Sequence, residues 1–161
     1  VTATEVALDA SFVDEIQRLG RQAKYVTSVC TGSLILGAAG LLRGKRAACH
    51  WAWRDLLTEF DATPDDARVV RDGNTFTGGG VTAGIDFAFT MVAEIAGEAV
   101  AKSLTLGYEY APAPPFPCGR PELADPATLA FVSGNMQQAM DLRRAEARKA
   151  GDRMRAQASA A

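Results

Sequence analysis

Apolar residues recur at helical spacing along most of the chain, and short runs rich in β-branched residues separate these stretches. The helical spacing predicts helices over residues 12–24, 32–42, 51–60, 82–96, 98–106 and 128–155. The β-branched runs predict strands over residues 25–30, 46–49, 68–71 and 75–77. Charged residues crowd the second half of the last helix, which we therefore expect to face solvent.

Strands and helices alternate in the order typical of an α/β fold with a doubly wound, mainly parallel sheet and helices on both faces. Asp72-Gly73 joins the last two strands as a hairpin, because Asp-Gly supplies the positive φ of a tight turn. Only the first strand is apolar enough to be central, and about four strands are few for such a sheet. We therefore expect residues 1–161 to be one domain that lacks its N-terminal part, with the missing strands before Val1.

Composition narrows the class of protein. The 161 residues are 48% hydrophobic and 22% charged, which excludes an intrinsically disordered chain. The net charge of -2 argues against nucleic acid as a partner, and no apolar run approaches the ~18 residues that span a bilayer, so no membrane is expected either. Three cysteines are an odd number and do not indicate a disulfide framework, which predicts a reducing cytoplasm.

Cys30 lies where the first predicted strand ends and the next helix begins. This is the position of a nucleophile elbow, a sharp turn that raises a side chain above the carboxyl edge of a sheet. The N-terminus of the following helix favours a thiolate there, and the N–H of Thr31 is placed to donate to an anion that develops on a bound substrate. Gly32 and Ser33 are small enough for a substrate or another backbone to approach. We predict Cys30 as nucleophile, with backbone contacts from Thr31 and Gly32; a buried structural cysteine is the alternative.

His50, the single histidine, follows the second predicted strand and is therefore expected near the same edge of the sheet. It is either the base of a Cys–His pair or a residue that caps or packs the helix beginning at Trp51, and the second role is favoured. Cys49 and Cys118 do not lie at comparable turns. No cluster of metal-ligand spacing is present, so no metal is predicted.

A glycine-rich turn at residues 78–80 leads into the helix that begins after Thr82, its expected N-cap. Such a turn either presents N–H groups to an anion or allows close helix packing, and the sequence leaves both open. It is not a phosphate loop, because no Lys-Ser/Thr pair follows it. The predicted pocket consists of residues from this turn and from the second strand end: His50, Trp51, Gly79, Gly80, Val81 and Thr82.

Three ordered segments, VTSVCTGSLILGAAGLLRGKRAACHWAWRDLL, RVVRDGNTFTGGGVTAGIDFAFTMVAE and YEYAPAPPF, closely resemble the isocyanide hydratases of the ThiJ/PfpI superfamily. The resemblance extends from about Val13 to Phe116. It implies a flavodoxin-like α/β homodimer that needs no cofactor and hydrates a small-molecule isocyanide to an N-substituted formamide. It also implies that Cys30 is the nucleophile, acting through a thioimidate.

The sequence departs from the superfamily at two places. Thr31 follows the cysteine where proteases and deglycases of the superfamily carry His, which argues against a Cys–His dyad and against peptidase activity. The family's acidic residue on the first strand-to-helix turn, and a glycine pair at a later strand end, match no segment here. The general acid or base is therefore expected before Val1.

Two other functions remain open. Many AraC-type transcription regulators carry an amidotransferase-like sensor domain with similar segments, followed by two helix-turn-helix units. A non-catalytic, stress-related module of the same fold is the third possibility. The proline-rich arm at residues 108–117 favours the hydratase; being stiff and apolar, it is also the expected dimer interface.

Overall fold

The computed structural model describes residues 1–160, and its strands form two sheets. The main sheet has the order β1 (Val26–Val29), β5 (Thr75–Gly78), β4 (Val69–Asp72), with β5 parallel to β1 and antiparallel to β4. A second, parallel pair consists of β2 (Arg46–Ala47) and β3 (Thr63–Pro64). The mainly parallel α/β class is thus confirmed. Strand β3, only two residues long, was not predicted, and β2 is half as long as expected.

The central strand of the main sheet is β5, whose four residues are all buried. Because successive side chains point to opposite faces, both faces of this strand are covered. Thr75 and Thr77 face the segment before and after β2, where they accept hydrogen bonds from Lys45 Nζ and the N–H of Ala48 (2.6 and 2.8 Å). Within the part of the chain that the structure describes, β1, predicted as a central strand, lies at one edge of the three-stranded sheet.

Helices occupy most of the predicted stretches, with different bounds. They are α1 (Ala3–Val6), α2 (Ala10–Gln22), α3 (Gly32–Ala38), a 3₁₀ helix (Arg54–Phe60), α4 (Ala83–Ala96), α5 (Glu98–Gly107) and α6 (Pro126–Ala160). Helix α3 ends before the predicted residue 42 because the chain turns at Gly40, which has a φ of +71°. Asp9 caps α2 through the N–H of Phe12 (3.1 Å). None of the described helices is long and apolar enough to cross a membrane.

One face of the second half of α6 packs on the core, whereas charged residues such as Arg148, Lys149 and Asp152 are exposed. The prediction that this segment faces solvent was therefore wrong for the packed face only. Ala147, Ala150 and Met154 are buried there together with Leu56 and Phe60 of the 3₁₀ helix. These three α6 residues recur at i, i+3 and i+7 and form one narrow apolar stripe between charged neighbours. The helix α6 therefore anchors the segment that follows β2.

The proline-rich arm has no regular structure between residues 111 and 117, as predicted. Tyr110, near the start of the arm, packs against helix α4. Its ring is 5.4 Å from that of Phe89, and its hydroxyl donates to Asp86 Oδ1 (3.0 Å). Phe116, at the far end, is 73% exposed. The arm therefore begins folded against α4, and only its distal part is free of the chain.

Candidate active site

Cys30 occupies a strained turn at the end of β1. Its φ is +60°, in the left-handed region that non-glycine residues seldom adopt, and such a conformation costs on the order of 1–3 kcal/mol. The N–H of Cys30 donates to the carbonyl oxygens of both Gly78 and Gly79 (3.0 and 2.7 Å). These two bonds to the end of β5 hold the cysteine in the sharp turn that a nucleophile elbow requires.

Thr31 and Gly32, the predicted backbone contacts, follow directly as the N-cap and first residue of α3. The Thr31 side chain makes no capping hydrogen bond. The N–H groups of both residues precede the first acceptor within the helix and so have no partner inside it. Both groups are therefore open to an acceptor at the turn.

A chain of hydrogen bonds, which sequence reasoning missed, fixes this turn against the segment after β2. Ser33 is fully buried and donates to the carbonyl oxygen of Ala48 (2.6 Å). Since a hydroxyl has one proton, Ser28 must donate to Ser33 across the 2.7 Å between their oxygens. Ser33 was expected to let a substrate or another backbone approach; it is the backbone at Ala48 that does so, and Ser33 thereby joins β1, α3 and the segment that leads to His50.

We expect Ser33→Ala to lower the free energy of unfolding by about 1–3 kcal/mol, because it leaves the buried Ala48 carbonyl oxygen without that donor. Urea denaturation measures the change. Ser103→Ala is the matched control: that hydroxyl donates to Ala99 on the exposed side of α5, so we expect an effect within about 0.5 kcal/mol. Equal stability of the two variants would contradict the structural role of Ser33.

The six predicted pocket residues His50, Trp51, Gly79, Gly80, Val81 and Thr82 all line one cavity of about 210 Å³. Cys30, Thr31 and Gly32 do not themselves line this cavity. Gly79, which does, accepts the N–H of Cys30 at its carbonyl oxygen and so places the cavity next to the turn. The cavity also has a charged wall that the sequence did not reveal, formed by Arg54, Asp66, Arg68, Arg120 and Glu122. No sequence signal marks these residues, because they come from three separate segments.

Two larger cavities are present, and the first of them shares Trp51 and Arg54 with the 210 Å³ cavity. One of about 400 Å³ separates the 3₁₀ helix from α6, and an apolar groove of about 480 Å³ runs along α4 and α5. Size alone favours these, but neither is lined by the glycine turn that contacts Cys30. The smaller cavity is therefore the candidate site.

His50 lines the cavity and caps the turn that follows it. Its Nδ1 accepts the N–H of Ala52 (3.2 Å), so in the neutral ring the proton is on Nε2. The ring lies 5.6 Å from that of Trp51, and a Cβ on Gly80 would stand 3.4 Å from its Cδ2. Burial lowers the pKa of His50 below the ordinary value of 6.5. The imidazole is thus held neutral between the two halves of the pocket.

We expect His50→Asn to lower activity by less than the ~10²-fold that marks the loss of a general acid or base, because the Asn Oδ1 can still accept the Ala52 N–H. Steady-state kinetics on the full chain measures this. A loss of ~10³-fold or more with normal folding would instead support a Cys–His mechanism.

Titration of the same histidine affects stability. The unfolded chain binds a proton at His50 below about pH 6.5 and the folded chain does so only at lower pH, so the free energy of unfolding falls as the pH drops through that value. The slope is at most about 1.4 kcal/mol per pH unit. Urea denaturation at about pH 7.5 and pH 5.5 should show this decrease in the free energy of unfolding for the wild type but not for His50→Asn.

The other two cysteines do not lie in a strand-to-helix turn. Burial raises the pKa of Cys49 to about 12, and only 3% of the residue is exposed. Cys118 is exposed on the irregular segment after the arm. Among residues 1–160, no group of three or more His, Cys, Asp or Glu side chains is arranged to hold a metal ion.

The glycine turn is hydrogen-bonded to Arg68, a contact that the sequence did not predict. Gly79 donates to the carbonyl oxygen of Arg68 (2.9 Å). Thr82 stands at the N-cap position of α4 but makes no capping bond through its side chain. Its carbonyl oxygen instead accepts from Arg68 (2.8 Å). Arg68, which also pairs with Asp86, therefore ties the turn to the start of α4.

Comparison of the sequence with known protein families identifies the family to which this chain belongs. The model of the DJ-1/PfpI family matches residues 2–94. The chain belongs to the DJ-1/PfpI family. A solved ThiJ/PfpI family protein from Pseudomonas syringae superposes with a TM-score of 0.87 at 44% identity, covering 90% of this chain and 60% of that one.

Two curated relatives differ in function. An isonitrile hydratase from Pseudomonas putida is 58% identical over 121 residues, which are 75% of this chain and 53% of that protein. The HTH-type transcriptional regulator CdhR from Pseudomonas aeruginosa is 30% identical over 99 residues, 59% of this chain and 29% of the regulator. The chain thus spans about half the length of the hydratase and less than a third of the regulator.

Proposed function

We propose that this protein hydrates an isocyanide to an N-substituted formamide, with Cys30 as nucleophile. The observation that carries the proposal is the turn at Cys30, because a non-glycine residue that two hydrogen bonds keep at a φ of +60° stores backbone strain of the kind that clusters at active sites. The 58% identity to a protein named isonitrile hydratase supports the choice of reaction.

The reaction follows from the chemistry of a thiolate and a divalent carbon. The Cys30 sulfur adds to the terminal carbon of the isocyanide, a proton is delivered to that carbon, and a thioimidate forms. Water then adds across the C=N bond, which places a hydroxyl on the same carbon and a proton on the nitrogen. The hydroxyl loses its proton as the C–S bond breaks, and the sulfur leaves with its electron pair. The products are the formamide and the regenerated cysteine, so one difficult addition of water is divided into two easier steps.

Backbone groups supply the remaining stabilisation. The N–H groups of Thr31 and Gly32 are proposed to donate hydrogen bonds to the negative charge that develops beside the sulfur, as in an oxyanion hole. His50, held neutral, forms the wall and does not take the proton of Cys30. The substrates are an isocyanide and water, without a cofactor, and the assembly expected from the resemblance is a homodimer.

Incubation of the intact protein with an aryl isocyanide tests the proposal. Formamide, detected by mass spectrometry after separation, should accumulate over many turnovers and carry ¹⁸O from labelled water. Isocyanide that disappears no faster than in buffer would contradict the proposed activity.

A ligand-sensing role is the second candidate, favoured by the 30% identity to the regulator CdhR. A sensor binds its ligand without turnover. Calorimetric binding of the isocyanide with no formamide would therefore support the sensor and exclude the hydratase.

A further inference from the structure

One side chain in the charged wall of the 210 Å³ cavity has no partner. Arg68 is paired with Asp86 and bonded to Thr82. Arg120 donates to Glu122 Oε1 (3.1 Å) and to the carbonyl oxygen of Asp66 (2.9 Å). Arg54, by contrast, makes no hydrogen bond or ion pair with any residue that the structure describes. Its guanidinium is thus the donor group left for something that enters the cavity.

The position of Arg54 is fixed from both sides. It is the first residue of the 3₁₀ helix, which follows the turn capped by His50, and it is half-buried. Buried Leu56 and Leu57 lie directly after it and hold the helix in the core. A guanidinium carried on a fixed helix presents a planar fork of N–H groups, the geometry that matches a carboxylate.

The charge of the wall also favours an anion. Arg68 is balanced by Asp86, and Arg120 lies near Asp66 and Glu122, so Arg54 is the arginine of the wall that no carboxylate contacts among the described residues. Glu122 lies within electrostatic range of Arg54 but is hydrogen-bonded to Arg120. The cavity is smaller than the ~300–1,000 Å³ typical for drug-sized ligands, which limits the occupant to a small molecule.

We infer that the cavity selects small isocyanides that carry a carboxylate, and that Arg54 is the specificity-determining residue that binds this group. The inference rests on the proposed function and names its substrate class. The isocyanide carbon lies toward the turn at Gly79 and Cys30, and the carboxylate lies toward the 3₁₀ helix. An isocyano acid such as isocyanoacetate has this polarity: an uncharged reacting end and an anionic opposite end.

A matched pair of substrates tests the inference. Isocyanoacetate and its methyl ester share the reacting group and differ in the charge. We expect Arg54→Gln to lower kcat/KM for isocyanoacetate by about 10- to 100-fold, mainly through KM, because a hydrogen bond to a charged group is lost. The ester should change by less than about 3-fold. Arg54→Lys should fall between, and Arg21→Gln, an exposed arginine on α2, should behave as wild type.

Binding of the product provides a readout that does not need turnover. N-formylglycine should bind more tightly than its methyl ester, measured by calorimetry, and Arg54→Gln should abolish this preference. If neither isocyanide is hydrated but the Arg54-dependent preference persists, the proposed function fails and the carboxylate site stands. If both isocyanides are hydrated and Arg54→Gln affects them equally, or if the wild type shows no preference for the acid, the inference is overturned.

Discussion

Replacement of Cys30 by serine is expected to lower formamide production at least about 10⁴-fold, the scale seen when a covalent nucleophile is lost. Serine has nearly the same size, so the turn between β1 and α3 and its two hydrogen bonds to Gly78 and Gly79 should persist. In the proposed mechanism the change removes the nucleophilic sulfur, and a hydroxyl in the same turn is the weaker nucleophile. Steady-state kinetics with an aryl isocyanide measures the loss, and unchanged circular dichroism verifies the fold.

Cys118→Ser is the matched control, because that cysteine is exposed outside the turn. It should retain full activity. Peptide mass spectrometry of the wild type trapped during turnover should place the adduct on Cys30, whereas Cys49 is protected by burial and by its raised pKa of about 12. Undiminished turnover by Cys30→Ser would refute covalent catalysis at this position.

Features encoded by neighbouring residues could be predicted from the sequence. The Cys30 turn is marked by a β-branched strand, a small residue pair and an apolar helix, all within about a dozen residues. The hairpin between β4 and β5 is marked by Gly73, which adopts a φ of +61°. The six predicted pocket residues line one cavity because each follows β2 or β5, and the segments after these two strands lie side by side although the strands belong to different sheets.

Features that depend on distant residues could not be predicted. Ser33 resembles any small residue after a turn until Ala48, 15 positions away, is seen to accept its hydrogen bond. The unpartnered state of Arg54 is defined by what Arg68 and Arg120 contact, and the sequence does not order those pairings. Helix α6 shows the same limit, because its apolar stripe of two alanines and a methionine is too narrow to outweigh the charged residues around it.

Packing of α6 on the 3₁₀ helix rests on one glycine. Gly151 is buried against the backbone of Glu59, and a Cβ at this position would overlap the Glu59 carbonyl oxygen. That same oxygen accepts a hydrogen bond from Arg155 (2.8 Å), one turn further along α6. Because the obstacle is backbone and cannot rotate away, a larger residue has to displace the whole helix.

We therefore expect Gly151→Ala to lower the free energy of unfolding by about 3 kcal/mol, at the upper end of the cost of overpacking. Gly134→Ala is the control on the same helix, since a Cβ there meets no atom within 4 Å; it should raise the free energy of unfolding by up to about 1 kcal/mol through helix propensity. Urea denaturation of both variants measures these changes in the free energy of unfolding, which we expect to have opposite signs. The Arg54 guanidinium is carried by the 3₁₀ helix that α6 supports, so Gly151→Ala should also weaken binding of N-formylglycine. A variant as stable as Gly134→Ala would show that α6 does not hold this wall of the cavity.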